Sequence, residues 1–146
     1  MSYSHKAVCR FSVSSWAESP IVDIDGEGTT FGDNYYPSRG LTRAEVTYTY
    51  TGDIEGTGAL TYLIAYHPGA APVVGFERFE GSVGGQDGTC VLRHTGSQDS
   101  GSVRARLEVV AGMGTGGLTG LRGEAELAIE GHSDDGYELV LAYGVD

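Results

Sequence analysis

The chain has 146 residues, with 20 acidic against nine basic side chains and a formal charge of −11, the wrong sign for a nucleic-acid or anionic-membrane partner. That length makes one domain, able to bury about two-thirds of its unfolded surface without metal or disulfide staples. Cys9 and Cys90 have no metal-ligand spacing and read as reduced, buried thiols, and no apolar run approaches bilayer-spanning length; a cytoplasmic protein with no metal and no cofactor is expected.

Period-two alternation recurs from end to end, and no segment shows an apolar repeat at helical spacing. The first strand, His5 to Trp16, sets Ala7, Cys9, Phe11 and Val13 against Arg10, Ser12 and Ser14. Pro20 to Gly40 follows as a long connection carrying Phe31, Tyr35, Tyr36 and Pro37 among glycines. Leu41–Thr51 and Gly58–His67 form a hairpin through Gly52-Asp53, and Val73–Val83 with Gly88–Thr95 form the next. Ser102–Val110, the glycine-rich Gly112–Gly120, Arg122–Glu130 and Tyr137–Val145 complete the chain. Eight long strands joined by short links predict an eight-stranded antiparallel barrel, which removes sheet edges by closing on itself. A β-sandwich gives a similar pattern.

The hairpin Val73–Gly96 carries the chemistry. With Gly85-Gln86 at its tip, Phe79 faces Leu92, Gly81 faces Cys90, and Glu77 faces His94 on a largely apolar face. Cross-strand partners lie about 4.5–5.5 Å apart at Cβ, within reach of a shared proton. Glu77 and His94 are therefore either a buried structural pair or an acid/base site. His67 and His132 fall in turns. Arg78, Glu80, Arg93, Arg104, Arg106 and Glu108 read as charge pairs of the outer wall. Gly112–Gly120 has no following lysine and reads as a rim turn and bulge, not a phosphate loop.

Val109-Val110-Ala111-Gly112-Met113-Gly114-Thr115-Gly116-Gly117-Leu118-Thr119-Gly120-Leu121-Arg122-Gly123 resembles the Gly-Thr-Gly-x-Leu-x-Gly-Leu-x-Gly signature of a bacterial family of unknown function with an allene oxide cyclase-like barrel. Tyr50-Thr51-Gly52-Asp53-Ile54-Glu55-Gly56, Gly75-Phe76-Glu77-Arg78-Phe79-Glu80-Gly81 and Val91-Leu92-Arg93-His94-Thr95-Gly96 extend the likeness over nearly the whole chain. More distant barrels of this kind close reactive intermediates into rings, some in polyketide natural-product biosynthesis. Against that family Pro20–Gly40 is an insertion, either a lid over the barrel mouth or a self-packed loop or dimer contact.

The expectation is a cofactor-independent cyclase or isomerase, a pericyclic closure among its options, with Glu77 and His94 catalytic. Trp16, Tyr35, Tyr36, Tyr48, Phe79, Cys90, Leu92, Tyr137 and Tyr143 would contact a small hydrophobic molecule. The alternative is a lipocalin-like carrier without chemistry. Homo-oligomers through outer-wall strands fit either reading.

Overall fold

The computed structural model describes residues 3–99, 102–131 and 135–145. Its strands run in chain order β1 (His5–Asp23), β2 (Gly28–Phe31), β3 (Asn34–Pro37), β4 (Gly40–Gly52), β5 (Ile54–Tyr66), β6 (Ala71–Val83), β7 (Gln86–Asp99), β8 (Ser102–Val109), β9 (Thr115–Gly116), β10 (Leu121–Glu130) and β11 (Tyr137–Val145). Alternation in the sequence becomes burial in the fold. In β4, Thr42, Ala44, Val46, Tyr48 and Tyr50 are buried while Arg43, Glu45, Thr47 and Thr49 face water, as one-sided packing of a pleated strand requires.

The ladder runs β6-β5-β4-β1-β11-β10-β8-β7, and β7 returns to pair with β6, so eight antiparallel strands close into a barrel. β9 is an extra strand outside it, paired with β7 at Gly88 and Thr89. The segment around β9 folds back through successive turns, with Leu118 N–H donating to the Thr115 carbonyl and Leu121 N–H to that of Leu118, and Leu118 is fully buried. This glycine-rich stretch is a folded strap that pairs with β7 and buries Leu118, more than the turn and bulge its sequence suggests. Outside, Arg93–Glu108, Arg106–Glu124 and Arg104–Glu130 form cross-strand ion pairs. Among the described residues no helix is long and apolar enough to cross a membrane.

The connection from Pro20 to Gly40 is more ordered than its composition predicts. β1 continues to Asp23 opposite Gly40, and β2 and β3 form a two-stranded hairpin. Tyr35 donates to Asp23 at 2.6 Å, the Glu18 N–H donates to Asn34 Oδ1 at 2.8 Å, and Tyr36 meets Tyr66 edge-on at 6.3 Å. A register shift between Val13 and Ser15 marks a bulge that exchanges the inward and outward faces of β1. Ala7, Cys9 and Phe11 point inward before it, and Glu18, of opposite parity, is buried after it.

Candidate functional site

The hairpin β6–β7 turns at Gly84-Gly85, with Val83 opposite Gln86. Both glycines have positive φ, 57° and 86°, the requirement of a two-residue type I′ turn. The pairing is thereby two residues away from the expected register: Phe79 faces Cys90, Glu77 faces Leu92, and His94 faces Gly75. A shift of two preserves the face of every side chain. Glu77 and His94 become diagonal neighbours, a separation long side chains can span, and His94 Nε2 lies 2.7 Å from Glu77 Oε1.

Four adjacent strands contribute to what surrounds the pair. From β4, the Tyr50 hydroxyl donates to Glu77 Oε2 in a short contact. From β5, the Tyr62 hydroxyl lies 3.1 Å from His94 Nδ1, and the Tyr48 hydroxyl on β4 lies 3.1 Å from that of Tyr62. Glycine at 58 makes room for the carboxylate, because a Cβ there would stand 1.9 Å from Glu77 Oε2. Glu77 and His94 are both 0% exposed. Burial raises the Tyr48, Tyr50 and Tyr62 hydroxyls above the ordinary phenol range, and the Glu77 charge adds to this, so each remains an O–H donor at neutral pH. One consistent donor order is Tyr48 to Tyr62 to His94 Nδ1, with the Nε2 hydrogen donated to Glu77.

The remaining predicted contact residues divide by position. Phe79, Cys90 and Leu92 line a void of about 20 Å³ in the apolar half of the lumen, room for about one water molecule. Burial pushes the Cys90 thiol up to about 12. Trp16 is 38% exposed at the other end, its ring 6.2 Å from that of Tyr62. Tyr137 packs on Phe11 at 5.5 Å. Tyr143 stacks on His5 at 5.3 Å, and its hydroxyl lies against Gly84. Tyr35 and Tyr36 belong to the β2–β3 hairpin, Tyr35 reaching Asp23 at the end of β1 and Tyr36 reaching Tyr66 of β5. His67 is exposed in its turn, bonded to the Pro68 carbonyl at 2.7 Å; His132 lies outside the described residues.

A second carboxylate escaped the sequence reading. Glu18, 6% exposed, accepts from Trp16 Nε1 at 3.0 Å, Thr42 Oγ1 at 2.7 Å and the Tyr66 hydroxyl at 2.7 Å. Strict alternation along β1 places it outside, and only the bulge brings it in. Among the described residues no group of three or more His, Cys, Asp or Glu is arranged to hold a metal ion.

The fold and the pair define a class: a closed antiparallel barrel whose lumen holds a buried carboxylate–imidazole couple. Residues 7–141 match the family described as "Protein of unknown function (DUF3224)", and the chain belongs to that family. A crystal structure of a DUF3224 protein of unknown function from Shewanella oneidensis MR-1 is similar, with a TM-score of 0.67 and 22% identity over 97% of this chain and 98% of that one, a likeness of fold. Among curated proteins nothing matches.

Proposed function

We propose that this barrel is a cofactor-independent isomerase or cyclase acting on a small, mostly apolar molecule at Glu77 and His94. The observation that supports it is the polar chain Glu77–His94–Tyr62, which leads from the sealed centre of the lumen to the ring of half-exposed Trp16. In a proton-transfer isomerisation Glu77 takes a proton from a substrate carbon and returns it at another, so nothing is consumed. His94 holds the carboxylate, and an O–H donor such as Tyr62 stabilises the oxygen on which charge develops. In a pericyclic closure no proton moves, and the lumen contributes by fixing the reactive conformer. The resemblance to allene oxide cyclase-like barrels favours ring closure. The 20 Å³ void requires side chains to yield as any small molecule binds, whether it is turned over or only carried.

A second reading, a structural pair without chemistry, is favoured by the complete hydrogen bonding of the network: among the described residues every buried side-chain nitrogen and oxygen has a partner. The experiment incubates wild-type protein and Glu77→Gln with a panel of linear polyenones and unsaturated ketones in D₂O, following isomer formation by chromatography and deuterium by mass. Glu77→Gln is expected to lower turnover about 10²–10⁴-fold while the circular dichroism spectrum is unchanged. Deuterium at carbon that disappears in Glu77→Gln identifies proton transfer by the carboxylate, and a cyclised product that carries none and forms equally well in Glu77→Gln identifies pericyclic closure. Product formed at equal rates by both proteins would place the catalysis in the shape of the lumen and not in Glu77, and no product above the protein-free rate from either would leave the structural reading.

A further inference from the structure

β10 and β11 are consecutive strands whose pairing starts as an ordinary hairpin, from Leu121 opposite Val145 to Glu124 opposite Ala142. Continued in that register, residues 125–129 would face residues 141–137. Among the described residues these positions form no ladder with each other. β10 remains tied to β8 on its far side through Glu130 opposite Ser102, and β11 to β1 through Tyr137 opposite Phe11. The backbone ladder therefore continues on either side of this seam but not across its lower half, where the Tyr137 hydroxyl donates to the Gly131 carbonyl at the foot.

A surface cleft of about 510 Å³ lies along the seam, lined by Glu126 and Ala128 of β10 and by Glu138 and Val140 of β11. Ala125 also lines it, and Ala125 lines the internal void together with Leu139 and Leu141. One residue, with its side chain in the core, thus borders both spaces. The two ends of the barrel are closed differently. At one, the strap that buries Leu118 is tied to β7 by the Gly117 N–H donating to the Asp87 carbonyl at 2.6 Å, and at the other three hydrogen bonds to Glu18 tie β1, β4 and β5 together. Opening either end breaks bonds that exist, whereas spreading the seam breaks no ladder bond across it, and regions with few bonds to break open at least cost.

We infer that the lower half of the β10–β11 seam is a side portal, the route by which a small apolar molecule reaches the lumen past Ala125. The inference rests on the lumen being the binding site, yet its test needs no substrate. Cys90 lines the void and serves as reporter: in a Cys9→Ala background, alkylation of Cys90 by iodoacetamide is timed under native conditions by peptide mapping. Ala128→Cys with Glu138→Cys, opposed in the continued register, locks the seam on oxidation. Thr57→Cys with Glu80→Cys, opposed on the fully paired β5–β6 wall, is a control lock that stabilises the barrel without touching the seam. The oxidised seam lock is expected to slow Cys90 labelling about tenfold relative to its reduced form, and the control lock to change it far less. Should the seam cysteines stand too far apart to join, Ala128→Trp, an exposed position on the cleft, is expected to slow labelling in the same direction. Equal slowing by both locks means that labelling follows global unfolding, and unchanged labelling in the locked or Trp variant means that the reagent arrives elsewhere; either result overturns the portal. Neither bears on Glu77, whose role is decided by turnover.

Discussion

The two halves of one lumen, built on the same eight strands, are held together by different physics. Around Glu77 and His94 the interior is a chain of directional bonds running through Tyr50, Tyr62 and Tyr48. Around Phe79, Cys90 and Leu121 it is a filled apolar volume with space left for about one water. Loss of a partner damages the first half and loss of volume the second. A buried carboxylate deprived of its donors keeps its full desolvation cost, while a truncated aromatic leaves a cavity that neighbours only partly close. The Glu18 cluster shows that the polar strategy extends to the rim, with neutral donors in place of an imidazole.

The largest expected effects lie at the centre of each half. Glu77→Ala should cost about 3–5 kcal/mol by leaving Tyr50 and His94 buried without their acceptor, and Phe79→Ala a similar 3–5 kcal/mol by opening a cavity. Combination tells them apart. Adding His94→Ala to Glu77→Ala should cost less than the sum, with a coupling of about 0.5–3 kcal/mol; strict additivity in urea denaturation would mean that the polar half is not a unit. Next comes alkaline pH. Burial, followed by nearby carboxylate charge, pushes the Cys9 and Cys90 thiols from 9.0 up to about 12. The folded state holds protons that the unfolded chain releases, so this stabilisation is complete below pH 9 and is lost as pH rises towards 12, with a slope of at most about 1.4 kcal/mol per pH unit for each thiol. The unfolding midpoint should hold up to pH 9 and then fall. In Cys9→Ala/Cys90→Ala the fall should begin near pH 10, where unfolded tyrosines start to ionise; an unchanged onset would remove the thiols from the account. Smallest is Thr42→Val, which deletes one of three donors to Glu18 and should cost about 1.5–3 kcal/mol. A loss near zero in thermal unfolding would show that Trp16 and Tyr66 suffice at the rim.

Strand alternation, a local property read two residues at a time, was enough to determine an all-β chain with a carboxylate and an imidazole on one face, and the short links between eight strands then favoured a barrel over a sandwich. The shared face survived a wrong turn position, because Gly84-Gly85 takes the tip in place of Gly85-Gln86 and a two-residue slip leaves parity intact. Glu18 was illegible for the opposite reason: a bulge between Val13 and Ser15 reverses parity, and nothing in Ser12-Val13-Ser14-Ser15 announces it. The ordering of Pro20–Gly40 was hidden because its bonds go to distant partners, Asp23 opposite Gly40 and Tyr36 against Tyr66. Only the tertiary structure decided which tyrosines complete the site, how little space the lumen retains, and where the wall goes unpaired. Each depends on four or more strands meeting in three dimensions, and period-two patterning specifies the face of a side chain but neither its neighbours across the barrel nor the length over which two strands remain joined.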